Sequence, residues 1–118
     1  MKNPVQQSIS LTVGDNKFEL LFDFESVALA EELTDRPLLT GLDTRSINTP
    51  KISTIQAMLF ACLLPKQPKT SLADAKLLVT RKNFRAVWSS VLNAWVAGLA
   101  EPDPEEDAVE ADPKQDQS

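Results

Sequence analysis

The chain has 118 residues, 42% of them apolar, and carries 17 acidic against 12 basic side chains for a net charge of −5. That length suits one domain with a modest core. The absence of histidine and tyrosine removes the commonest general base and metal ligand, and the lone Cys62 excludes an internal disulfide or a multi-cysteine metal site.

The charge is unevenly placed. Residues 101–118 hold eight acids against Lys114, a net of −7, whereas residues 1–100 hold eleven basic and nine acidic side chains, a net of +2. No dense basic patch of the kind that binds nucleic acid is present. The opening MKNPVQQSIS lacks the apolar core of a signal peptide, and no apolar run is long enough to span a bilayer. The expectation is a soluble protein with no membrane and no nucleic-acid partner.

Ser8 to Val13 alternates, with Ile9, Leu11 and Val13 on one face. Gly14-Asp15-Asn16 offers residues that tolerate positive φ, and Lys17 to Phe22 alternates again through Phe18, Leu20 and Phe22. This predicts a β-hairpin, which needs something to cover its apolar face because two strands alone are marginal in water. The period then lengthens. Phe24, Val27, Ala30 and Leu33 recur every third residue and are expected to lie near one side of a helix from Phe24 to Leu33 or Thr34. Asp23, at the change, is placed to cap it, and Pro37 prevents simple continuation.

Residues 38–50 read as a connector with one irregular turn around Leu38, Leu39 and Leu42. Thr49-Pro50 looks like a helix opening, with the hydroxyl as cap and proline at the first helical position. The helix after it runs to about Leu64, and Ile52, Ile55, Leu59, Cys62 and Leu63 form a stripe widened by Met58, Phe60 and Leu64. So broad an apolar surface predicts a central helix buried on more than one side. Pro65 and Pro68 end it. Ser71 to Asp74 resembles a capping box for a short helix over about Leu72 to Val79. A last helix is predicted from about Lys82 to Leu99, striped by Phe84, Val87, Trp88, Val91, Leu92, Trp95 and Leu99. Beyond Ala100 prolines and acids replace bulky apolar residues, so residues 101–118 are expected to be disordered. The predicted class is α+β, mostly helical: an N-terminal hairpin and about four helices over residues 1–100, then an acidic tail.

The candidates for chemistry are weak. Cys62 lies inside an apolar run with no histidine to activate it, so a buried structural thiol is favoured over a nucleophile. Glu31 and Glu32 are adjacent on a helix and point about 100° apart, which suits a solvated face better than a metal or acid–base pair. Arg81, Lys82 and Arg85 place three cations against the dipole of a helix N-terminus. A solvated cluster is the leading reading there, with contact to an acidic partner or to the chain's own tail as the alternative. Phe84, Trp88 and Trp95 are the candidate partner-binding residues, because large aromatics anchor interfaces. Filling the core is the competing and leading account of the tryptophans. No catalytic residue, cofactor or metal site is expected.

The stretch KFELLFDFESVALAEEL resembles the opening of the tail assembly chaperones of long-tailed, siphophage-type bacteriophages. That family carries a K-x-Y/F-x-L-x-F-D/N-F pattern before a helix ending in a Glu-Glu-Leu-like motif. Lys17, Phe18, Leu20, Phe22, Asp23, Phe24, Glu31, Glu32 and Leu33 match it. Ile55 to Leu64 (IQAMLFACLL) and Ser71 to Leu78 (SLADAKLL) are similar to two later helical segments of the family, so the likeness covers roughly residues 8–100. It is a pattern of apolar positions, and the connector 38–50 and the aromatic last helix depart from it. The resemblance implies a non-enzymatic chaperone in the host cytoplasm, absent from the mature virion. Such a protein would self-associate, keep the helical tape-measure protein soluble and gather the tail-tube protein around it. The alternative is a structural virion component, either a minor tail or a head–tail joining protein.

Overall fold

The computed structural model describes residues 8–39 and 42–100, with Ala100 described by its backbone alone. A β-hairpin, β1 (Ile9–Val13) and β2 (Asn16–Leu20), leads into five helices: α1 (Phe24–Thr34), α2 (Thr44–Asn48), α3 (Ile52–Leu63), α4 (Leu72–Leu78) and α5 (Phe84–Ala100). The α+β, mostly helical class expected from the sequence is the one found. The predicted disorder of residues 101–118 concerns residues outside those described.

The strands are antiparallel, with Ile9 opposite Leu20, Leu11 opposite Phe18 and Val13 opposite Asn16. Cross-strand partners share a face, so this register gathers Ile9, Leu11, Val13, Phe18 and Leu20 on one side. Two residues, Gly14 and Asp15, make the turn. Gly14 has φ +61° and Asp15 does not enter the left-handed region, as a hairpin turn with glycine at its first central position requires. The apolar face rests on α3 and α5, where Leu20 is completely buried.

β2 is also held along its outer edge. The Gln67 side chain accepts the Glu19 N–H at 2.8 Å and donates to the Glu19 carbonyl at 2.9 Å. The same amide nitrogen donates to the Leu63 carbonyl at 2.7 Å. Two residues on, the Leu21 N–H donates to the Cys62 carbonyl at 2.8 Å. The strand is thereby tied to the end of α3, where Leu21 supplies a partner for the Cys62 carbonyl and the Leu63 carbonyl also accepts the Gln67 backbone N–H at 2.7 Å.

Asp23 caps α1 as predicted, accepting the Ser26 N–H and the Ser26 hydroxyl at 2.8 Å each. The inner face of α1 differs from the expectation. Ser26 and Ala30 are buried and Val27 is half-buried, whereas Phe24 is 81% exposed and Leu33 is 39% exposed. A repeat of three falls about 60° short of a full turn at each step, so Phe24 and Leu33 point about 180° apart and cannot share a core face.

The connector holds a helix of its own. Asp43 accepts the Ser46 N–H at 2.9 Å and so opens α2. Thr49 closes that helix and does not open the next: its N–H and its hydroxyl both donate to the Arg45 carbonyl at 2.9 Å. α3 therefore starts two residues beyond Pro50, with Lys51 as its cap residue and no side-chain cap.

α3 is the central element. Ile55, Met58, Leu59, Ala61, Cys62 and Leu63 are completely buried, with α1, α4, α5 and β2 packed around them. The capping box on α4 is present: Ser71 Oγ accepts the Asp74 N–H at 3.0 Å and Asp74 Oδ2 accepts the Ser71 N–H at 3.1 Å. A reciprocal pair precedes α5, with the Thr80 N–H bound by Asn83 Oδ1 at 2.7 Å and the Asn83 N–H by Thr80 Oγ1 at 3.2 Å. That pair holds Arg81 and Lys82 in a turn, so α5 begins two residues later than the apolar spacing suggests.

Candidate functional site

The predicted partner-binding residues are divided by the fold. Trp88 and Trp95 are only 7% and 6% exposed. The Trp88 indole N–H donates to the Ile47 carbonyl at 2.8 Å, which fastens α2 to α5. The Trp95 ring meets Phe22 edge to face, with centroids 5.2 Å apart and planes at 85°. Both indoles thus belong to the core, and the alternative in which they anchor a partner is corrected: neither offers a face to solvent. Phe84 is half-buried against the core, and the Arg85 guanidinium lies 5.6 Å from its ring centroid.

The exposed large apolar side chains are spread over the described residues, with Leu33, Leu39, Ile47, Ile52 and Leu77 among them; three others, Phe24, Val96 and Leu99, lie in the elements that meet where β2 runs into α1. Gly98 brings α5 against that corner: a Cβ at this position would stand 2.7 Å from the Phe22 carbonyl oxygen and 3.3 Å from Phe22 Cβ. The Phe22–Trp95 contact secures the same junction one turn earlier on α5. Phe24 follows Phe22 by two residues and is 81% exposed, while Val96 and Leu99 flank Gly98 and are 60% and 57% exposed. These residues, Phe24, Val96 and Leu99, are the candidate surface, and apolar side chains placed so are what an amphipathic helix can cover. The pairing of Trp95 with Phe22 joins residues 73 positions apart in the chain, which no local pattern reveals. The outward turn of Phe24 was legible from the 100° step of the helix.

The groups considered for chemistry are engaged in structure. Cys62 is completely buried, its thiol donates to the Leu59 carbonyl at 3.4 Å, and burial pushes its pKa well above the usual thiol range. That disfavours the reactive thiolate. Glu31 turns to the connector: its Oε2 accepts the Leu38 N–H at 2.8 Å and the Leu39 N–H at 3.4 Å, while Glu32 is exposed. Among the described residues no group of three metal-ligating side chains converges. A depression over the α3–α4 turn is lined by Gln67, Pro68, Lys69, Thr70 and Asp74, but Gln67 is committed to β2 and Asp74 to its capping box. Among the described residues no helix is long and apolar enough to cross a membrane.

Two carboxylates have lowered pKa values. Glu19 accepts hydrogen bonds from the Ser8 hydroxyl at 2.7 Å and the Ser10 hydroxyl at 3.3 Å, and the bond from Ser8 is the largest cause. Asp43 is lowered first by the Ser46 backbone N–H that it caps, then by the Ser46 side chain and the charge of Arg36. Both pieces of chemistry stabilise turns and strand ends.

No family model matches this sequence, and neither a curated protein nor a solved structure is significantly similar to it. The functional reading therefore rests on the residues themselves.

Proposed function

We propose that this protein is a non-enzymatic assembly chaperone of a phage or prophage tail. In this reading it binds the helical tape-measure protein, keeps it soluble and promotes gathering of the tail-tube protein around it. It does so in the host cytoplasm, as a self-associating protein that leaves before the particle is complete. The observation that carries the reading is the strand-to-helix corner. The stretch Lys17 to Leu33, which resembles the opening of that chaperone family, runs from β2 through the Asp23 cap into α1. Phe24 at this corner, and Val96 and Leu99 near the end of α5, are exposed. A long helix with an apolar stripe aggregates when unpaired, and laying that stripe over such side chains removes it from water.

The test is co-expression with the tape-measure protein encoded nearby, followed by pull-down and size exclusion. The chaperone reading expects the partner to become soluble and to co-elute, and Phe24→Asp with Leu99→Asp to abolish co-elution while the melting temperature is kept. A partner that stays insoluble, with this protein present in purified virions, would replace the reading by a structural one.

A further inference from the structure

We propose that the outer edge of β1 pairs with the same edge of a second copy of this chain, antiparallel and with Leu11 opposite Leu11. In an antiparallel pair alternate residues exchange backbone bonds with the partner strand, and the residues between them point their N–H and C=O away from it. Gln67 binds the N–H and the carbonyl of Glu19, so Glu19 points away from β1. Ser10 stands opposite Glu19, and Thr12, two residues on and therefore in phase with it, stands opposite Lys17. Ser10 and Thr12 thus direct their backbone groups outward from β1, and both residues are exposed. Among the described residues nothing bonds to those groups. Lysine, proline and bulges ordinarily blunt an open edge; Ile9–Val13 contains neither residue and pairs with β2 without a bulge.

The occupant is set by how the strand matches itself. With the pair centred on Leu11, all five residues of β1 overlap. Ser10 then exchanges backbone bonds with Thr12 of the second copy, and Ile9 lies opposite its Val13. Ile9 and Val13 are half-buried and stand on the core face, so this register carries the apolar face across both copies. On the other face each row of side chains runs from Glu19 through Ser10 to Thr12 and Lys17 of the second copy, and its ends are opposite in charge. A slip of two residues sets Ser10 opposite Ser10, or Thr12 opposite Thr12. The central row then ends in two Glu19 or two Lys17 side chains, and the overlap shortens. β1 itself carries no charge, so no like charges meet at the seam. The pairing gives the self-association of the chaperone reading a surface, but it rests on the hairpin alone. Its test needs no tape-measure protein, so either reading can fail without the other.

The experiment is amide hydrogen exchange of the full chain by nuclear magnetic resonance, from dilute to concentrated solution, with light scattering on size exclusion. A dimer is expected to form as concentration rises and to slow exchange at Ser10 and Thr12 several-fold, while Leu11, already bonded to β2, changes less. Thr12→Pro removes one outward N–H and leaves the bonds between the two strands in place; it should weaken dimerisation several-fold. The exchange data on the unaltered chain decide the matter even if that variant does not fold. A chain that stays monomeric at every concentration would overturn the proposal, as would a folded Thr12→Pro protein that dimerises undiminished. A dimer in which Ser10 and Thr12 exchange as fast as in the monomer would place the contact on another face. Protection already complete in the dilute monomer would also defeat it, because the chain's own residues would then cover the edge.

Discussion

Replacing Trp95 by alanine tests whether the junction of β2, α1 and α5 is the core of the domain or a surface waiting for a partner. The indole is 6% exposed and stands edge to face on Phe22 at 5.2 Å. Truncating a fully buried tryptophan costs about 3–5 kcal/mol, through lost transfer energy and the cavity left behind. A domain of this size loses about 4–8 °C of melting temperature per kcal/mol. The expected fall is therefore about 12 °C or more, and a protein near the lower end of ordinary stability, about 5 kcal/mol, would be largely unfolded. Trp95→Leu, which keeps much of the apolar volume, supplies a milder member of the series. Combined with Phe22→Leu in a double-mutant cycle, it isolates the ring–ring term, expected at about 0.5–1.5 kcal/mol beyond area burial. Urea unfolding followed by far-ultraviolet circular dichroism measures all four proteins without depending on the indole being removed. A melting temperature that holds in Trp95→Ala, together with loss of association on size exclusion, would refute the packing argument. Additive single mutants would refute the edge-to-face term alone.

Four further outcomes follow from the same geometry. Gly98→Ala should destabilise by about 1 kcal/mol in thermal melts: overpacking against the Phe22 carbonyl costs about 1–3 kcal/mol, and alanine's better helix propensity returns about 1 of that; a stabilised variant would show the approach to be looser. Gln67→Ala should cost about 1–3 kcal/mol by leaving the Glu19 amide and carbonyl without partners, and should speed exchange of the Glu19 amide hydrogen. Cys62 should react with a thiol reagent only as fast as the protein opens, since its pKa is raised by burial, so a rate that follows pH and not unfolding would contradict its placement. Glu19 and Asp43 have lowered pKa values in the folded state, so their stabilisation is present above the ordinary values of 4.5 and 3.8 and is lost as the pH falls through the folded ones. Denaturation midpoints should fall in that acid range, and Glu19→Gln with Asp43→Asn should flatten the fall.

What the sequence revealed was local. The Asp23 cap, the Ser71–Asp74 box and the alternation of the strands each depend on residues within a few positions, and each is found. The breadth of the apolar surface on α3 placed it at the centre because burial on several sides leaves no polar stripe. What stayed hidden depended on competition or distance. Thr49 can cap the helix after it or close the one before it, and the carbonyl of Arg45 wins. Trp88 finds its acceptor at Ile47, 41 residues earlier. The partner surface was sought among the largest aromatics, but those are the side chains the core gains most from burying. The exposed apolar positions include Phe24, Leu77, Val96 and Leu99, each a side chain smaller than tryptophan.

The Gln67 side chain has a consequence for how copies of this protein can meet. A two-stranded sheet ordinarily offers two open edges, and strands added to both would propagate without limit. Here the amide of Gln67 and the carbonyl of Cys62 occupy the free hydrogen-bonding groups at the C-terminal end of β2. Among the described residues, the outer edge of β1 carries no such cover. The edge of β2 is thus closed to strand addition at Glu19 and Leu21, and any strand that paired there would first have to displace the Gln67 side chain and the Cys62 carbonyl.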